Sequence, residues 1–170
     1  MRDLKAVSRQ RWSRRGRGWV IAGVCSLALV SPAGAEDRVW TATSGYWTNG
    51  AHWAGGTAPN AGDQVFITNA SAQVLLDGSS PVLGSLTLSK TLIFTNWSTI
   101  LTATNMTILN GGTVTVANAF TTNQMSNRVY VVCETLTVNA GGRIDVSARG
   151  YAGVLNEHGQ GPGRGTGITD

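Results

Sequence analysis

The sequence predicts an all-β chain wound as a parallel β-helix, a β-solenoid, with a Trp- and Gly-rich cap on its N-terminal side and a Gly-rich tail at the other. Three observations carry that expectation. Short stretches alternate β-branched or apolar residues with polar ones. An eleven-residue unit recurs without gaps, and no window of ten or more residues combines helix formers with a 3.6-residue period. A β-sandwich whose hairpins resemble one another is the alternative.

The chain opens on charge. Seven of its 13 basic residues (Arg2, Lys5, Arg9, Arg11, Arg14, Arg15, Arg17) precede residue 18, opposed only by Asp3. The apolar run Trp19-Val-Ile-Ala-Gly-Val-Cys-Ser-Leu-Ala-Leu-Val30 follows, then Ser-Pro-Ala-Gly-Ala35, which satisfies a small-x-small cleavage rule. Twelve residues are too few for a stable membrane anchor. Residues 1–35 therefore read as an export signal and the protein as secreted, extracellular or on the cell surface. Ser13-Arg14-Arg15 resembles a twin-arginine signal, but Gly16 and Arg17 replace the hydrophobic residues expected next. Cys25 follows Val24 rather than the small residue a lipoprotein site needs.

Beyond residue 35 the remaining six bases meet eight acids, so the overall charge of +4 belongs to the signal and the body stands near −2. That balance argues against nucleic-acid binding, and no stable membrane insertion is expected after cleavage. Cys133 is then left without a partner in the chain, which rules out a disulfide framework. In the apolar run Val129-Tyr-Val-Val-Cys133 it reads as a core residue.

The body, 36–150, holds nine predicted strands: 64–68, 73–76, 85–89, 91–94, 107–109, 113–116, 129–132, 135–138 and 143–146. They are short period-two stretches rich in β-branched residues, with Gly and Asn turns among them. The repeat lies among them. Met106-Thr-Ile-Leu-Asn-Gly-Gly-Thr-Val-Thr-Val116 aligns with Leu136-Thr-Val-Asn-Ala-Gly-Gly-Arg-Ile-Asp-Val146 at an offset of 30 residues, and Leu86-Thr-Leu-Ser is a degenerate copy 20 residues before the first. The unit is strand, Gly-Gly corner, strand, as in the coils of a parallel β-helix.

The flanks differ from this middle. Trp40, Trp47 and Trp53 fall within 14 positions among glycines. They invite two readings: a cap over the open end of the first coil, which is the stronger, or flat faces on which sugar rings stack, with Asn49 and Asn60 bonding hydroxyls. Residues 141–170 contain nine glycines. The tail, 151–170, cannot shield a last coil, so the architecture is expected to continue beyond Asp170.

Trp47 through Pro59, Ala61-Gly-Asp63-Gln-Val-Phe-Ile67, Val74-Leu-Leu-Asp77 and Ser80-Pro-Val-Leu-Gly-Ser-Leu-Thr-Leu88 resemble the G8 domain, a glycine-rich, all-β extracellular module. Gly111-Gly112 stands where that family places a late glycine turn. The resemblance covers roughly residues 40–117. It implies fold and compartment, with polysaccharide binding or processing in some relatives, and no catalytic motif that transfers. The wider pattern is similar to the first β-region of long secreted bacterial proteins with right-handed parallel β-helix repeats. Val154-Leu-Asn-Glu-His158 departs from it where more glycine is expected.

No constellation reads as catalytic. Asp63 and Asp77 flank glycines and read as turn residues, and Asp145 as a solvated strand residue. His52 and His158 lie far apart with no ligand spacing, so no metal and no cofactor is expected. No G-x-S-x-G elbow occurs. Trp97, in a polar context, is expected at the surface. Asn69, Asn96 and Asn105 begin N-x-[ST] sequons. The expected function is a non-catalytic adhesion or structural module of a larger extracellular protein, facing polysaccharide or matrix. The alternative is the first segment of a β-helix polysaccharide lyase or glycoside hydrolase whose catalytic residues lie beyond residue 170.

Overall fold

A computed structural model describes residues 34–121 and 125–153. The expected export signal and tail lie almost wholly outside the described residues. Ten strands run β1 Asp37–Val39, β2 Ser44–Tyr46, β3 Gln64–Ile67, β4 Gln73–Leu76, β5 Val82–Leu88, β6 Thr91–Phe94, β7 Leu101–Ile108, β8 Thr113–Val116, β9 Val131–Val138 and β10 Arg143–Ile144. A single 3₁₀ turn, Gly50–His52, interrupts them.

The odd strands form one five-stranded sheet in the order β1-β3-β5-β7-β9, and the even strands form a second in the order β10-β8-β6-β4-β2. Every neighbouring pair in both sheets is parallel. Parallel neighbours cannot be joined by a tight turn and need a crossover. Here the crossover of each sheet is a strand of the other. The hairpins of the sandwich alternative do not occur among the described strands; the one antiparallel contact is an isolated bridge between Trp40 and Trp53.

The repeat sets the register. Met106, Thr107 and Ile108 lie beside Leu136, Thr137 and Val138, and Thr113 and Val114 beside Arg143 and Ile144, both at the offset of 30. Leu86 lies beside Met106 at the offset of 20. Repeated residues thus stack into columns. Val65, Leu86 and Met106 form one buried column; Ile67, Leu88 and Ile108 form the next. Across from them the second sheet stacks Val74, Leu92 and Val114, then Leu76, Phe94 and Val116. All belong to one hydrophobic core, and each fully buried side chain contributes about 1.5–3 kcal/mol.

The corners explain the glycine pairs. Gly111 and Gly141 have φ of +82° and +83°, a region in which side chains with a Cβ are strained. Their neighbours have no room for one: a Cβ on Gly112 would stand 2.5 Å from the Leu88 carbonyl oxygen, and on Gly142 2.6 Å from that of Ile108.

Strict alternation fails at one place in each long strand. Leu83 and Leu86 are both buried in β5, and Ala103 and Met106 in β7. The ladder omits the intervening pairs Gly84–Thr104 and Thr104–Glu134. β9 runs through Glu134 as one strand, Val131–Val138, where the sequence predicts two, 129–132 and 135–138.

The two ends of the stack differ. At the first, Trp40 bonds the Phe66 carbonyl and Trp47 that of Leu75, which sets the two indoles beneath the Ile67 and Leu76 columns. At the other, Leu136, Val138 and Ile144 occupy core columns yet are 44–47% exposed.

Candidate functional site

The Trp-rich segment forms a closed plug. Trp40, Trp47 and Trp53 are 0–2% exposed. Trp53 meets Trp40 and Trp47 edge to face at 5.0 and 4.9 Å, and its Nε1–H donates to the Trp47 carbonyl oxygen at 2.8 Å. His52 packs on Trp40 at 5.2 Å. Asn49 accepts from the Ala51 N–H and so caps the 3₁₀ turn. Asn60 is exposed, and its backbone N–H donates to Asp63. These five residues do not assemble an open aromatic face, because the indoles cover one another.

Beside the plug, Asp63 is 1% exposed and Arg38 is 8% exposed, at the foot of the Val65 column. The Asp63 carboxylate accepts from the Asn60 N–H at 2.8 Å, the Arg38 Nε–H at 2.8 Å and the Glu36 N–H at 3.0 Å. Burial pushes its pKa up, but those donors outweigh burial and hold it below the usual carboxylate value. Arg38 completes its contacts with Thr57 Oγ1 at 2.6 Å and Glu36 at 2.7 Å. The network ties the chain before β1 to the turn before β3. Asp77 instead binds across to Thr48, and Asp145 accepts from the Ser147 N–H. Among the described residues no three His, Cys, Asp or Glu side chains gather as a metal set. Cys133 is half-buried against the core, and no helix among these residues is long and apolar enough to cross a membrane.

Two features face outward. The first is a ladder on the sheet of odd strands, where Ser85, Asn105 and Thr135 form one row and Thr87, Thr107 and Thr137 the next. Adjacent members are about 4.8 Å apart, the strand spacing. Asn105, Thr135 and Thr137 are exposed and the other three half-buried. The Asn105 sequon lies on this face, whereas the Asn69 and Asn96 amides bond backbone carbonyls of other turns.

The second is a cleft of about 530 Å³ at the far end of the stack, between Trp97 in the β6–β7 connection, Asn127 and Arg128 ahead of β9, and Ile144 and Val146. The Arg128 guanidinium carbon lies 4.7 Å from the Trp97 ring centre and 4.5 Å from that of Tyr130. Both rings are part-exposed, at 42% and 38%, and the cation lies over each of them within cation–π distance. Arg128 Nε is buried without a hydrogen-bond partner, as is Oδ1 of Asn127, a residue only 5% exposed. Arg149 donates to the Ala117 carbonyl oxygen at 2.9 Å. Trp97 is at the surface as expected; Asn127, Arg128 and Tyr130 belong to no motif that the sequence displays. The 30-residue offset carried the missing signal, since it places residues 127 and 128 over the Trp97 turn.

Parallel stacked sheets and glycine corners define an all-β module of two parallel sheets. A model of the G8 domain matches residues 52–152, more than half of the chain, and the chain belongs to that family. No curated protein and no solved structure matches it. The match begins after Trp40 and Trp47 and takes in β9, β10 and the cleft, so it extends further along the chain than the 40–117 expected from the quoted motifs.

Proposed function

We propose that the two sheets are successive faces of a right-handed parallel β-solenoid, and that the chain is a secreted, non-catalytic module of a larger extracellular or surface protein. Its work is adhesion: it presents a regular polar surface to polysaccharide or matrix. The observation that carries this reading is the in-register ladder Ser85–Asn105–Thr135 and Thr87–Thr107–Thr137. Two rows of hydroxyl and amide groups at the strand spacing meet a polymer with evenly spaced hydroxyls through many weak, simultaneous hydrogen bonds. Membership of a family of extracellular modules supports the compartment, as does the basic and apolar head ending at Ala35.

Retention of the purified chain on insoluble polysaccharides of several chemistries tests the proposal. At least one is expected to retain the chain, and the double variant Thr107→Lys/Thr137→Lys to lower that retention severalfold while melting near wild type. Retention on none of them, or retention indifferent to the double variant, overturns it. Export has its own check: the mature N-terminus is expected at Glu36, and an exported chain still beginning at Met1 contradicts a cleaved signal.

A further inference from the structure

The cleft at the far end of the stack holds polar groups without a hydrogen-bond partner among the described residues, and its chemistry is not that of the ladder. About 530 Å³ is room for a small ligand. Val116, Phe120, Ile144 and Val146 make its walls largely carbon, and among the described residues Asn127, Arg128 and Arg149 bring the strongly polar side chains to it. A sugar ring pressed there leaves most of its hydroxyls desolvated and unpaired. Among the described residues no acidic side chain lines the cleft. Asp145 shares charge with Arg149, but Arg128 joins no ion pair among the described residues.

The two rings define how Arg128 is approached. With the Trp97 and Tyr130 ring centres 4.7 and 4.5 Å from its carbon, the guanidinium keeps its N–H groups for polar partners, and the buried Nε–H has none among the described residues. A planar carboxylate matches that fork. Asn127 Oδ1, buried and unpartnered, asks for a donor. The remaining surface asks only for hydrocarbon.

We propose that this cleft binds a small hydroxylated amphiphile. Its carboxylate lies in the plane of the Arg128 guanidinium, its hydroxyl donates to Asn127, and its apolar tail covers Phe120, Ile144 and Val146. The hydroxy fatty acids are the chemical class with all three features. This site is separate from the hydroxyl ladder and does not depend on the ladder's function.

Titration calorimetry of the whole chain with 3-hydroxydecanoate, decanoate, 1-decanol and glucuronate tests it, because these probes remove the donor, the charge and the tail in turn. The hydroxy acid is expected to bind tightest, decanoate severalfold more weakly, and decanol and glucuronate not measurably. Arg128→Gln is expected to weaken the hydroxy acid about ten- to a hundredfold, the range for hydrogen bonds to a charged group. Arg128→Lys, which keeps the charge but loses the fork, is expected to recover little of it. Val146→Trp at a half-exposed position fills the cleft without touching Arg128 and is expected to abolish binding in a chain that still melts cooperatively. No binding of the hydroxy acid by wild type overturns the proposal. So does equal binding of decanol, glucuronate binding as tight as the hydroxy acid, or an Arg128→Gln chain that binds like wild type. Retention on polysaccharide through the ladder is unaffected by any of these results, and Thr107→Lys/Thr137→Lys is expected to leave the calorimetry unchanged.

Discussion

Replacing Asp63 by Asn removes one negative charge from a place where water cannot supply another. Asp63 is 1% exposed, and three donors converge on its two oxygens, from Glu36, Arg38 and Asn60. Arg38 is 8% exposed and has little else to lean on: a Thr57 hydroxyl and Glu36, whose side chain is 60% exposed. An asparagine keeps one acceptor but turns an N–H₂ toward donors, leaving the guanidinium buried and largely uncompensated. Breaking a buried pair from one side costs about 3–5 kcal/mol. The surviving Thr57 and Glu36 contacts place this variant near the lower bound. At roughly 3–5 °C per kcal/mol for a domain of this size, the melting temperature is expected to fall by about 10 °C, with a matching drop in the urea midpoint. Acid titration adds a sign. The folded carboxyl titrates below the unfolded one, so its contribution is complete above the unfolded pKa of about 4 and is lost as pH falls through the lower folded value. Wild type is therefore expected to lose stability below about pH 4 more steeply than Asp63→Asn. A second change, Arg38→Met, is expected to restore part of the loss in the Asp63→Asn background, because it removes the stranded cation. A loss under about 1 kcal/mol, with the acid limb unchanged and no coupling to Arg38, refutes the claim that this pair locks the first end of the stack.

Three further outcomes follow from the packing. Gly112→Ala puts a methyl 2.5 Å from the Leu88 carbonyl oxygen and is expected to cost about 1–3 kcal/mol in chemical denaturation; a neutral result contradicts the corner as drawn. Ile108→Ala, at a fully buried position of its column, is expected to cost about 2–5 kcal/mol, whereas Val138→Ala one strand further, 47% exposed, is expected to cost under about 1. Equal costs would mean that β9 is covered in solution. Trp53→Ala is expected to cost about 3–5 kcal/mol and to abolish near-UV dichroism from the indole cluster, while Trp97→Ala, 42% exposed, leaves melting within a few degrees of wild type.

What the sequence disclosed follows the physics of the two periods. Alternation marks a strand when one face is buried, so β3, β4, β6 and β8 are readable almost to the residue. β1 and β2 are three residues each, Asp-Arg-Val and Ser-Gly-Tyr; no alternation develops over that length, and only parallel pairing with β3 and β4 makes them strands. Arg38 hides β1 further, since a buried charge stands where the pattern calls for an aliphatic residue and Asp63, 25 residues on, explains it. The tryptophans were visible as a cluster, but whether indoles point inward depends on the column beneath them.

The cleft is the harder case, and the register shows why. Trp97 and Arg128 are 31 positions apart with no motif between them, yet β7 and β9 stack at an offset of 30, from Leu101 on Val131 to Ile108 on Val138. The Leu101 N–H bonds the Tyr130 carbonyl, so the same offset runs back into the connections and brings Asn127 and Arg128 over the Trp97 turn. The eleven-residue repeat declares that offset from apolar and glycine positions alone. A site in a stacked parallel fold is thus written at the repeat period: its residues are paired by counting from the core columns, not by nearness in sequence. Deleting one residue between Ala117 and Phe120 leaves every strand pairing available and is tolerated, whereas deleting one between Arg128 and Val131 shifts Arg128 off the Trp97 turn and breaks the guanidinium stack while β9 keeps its place on β7.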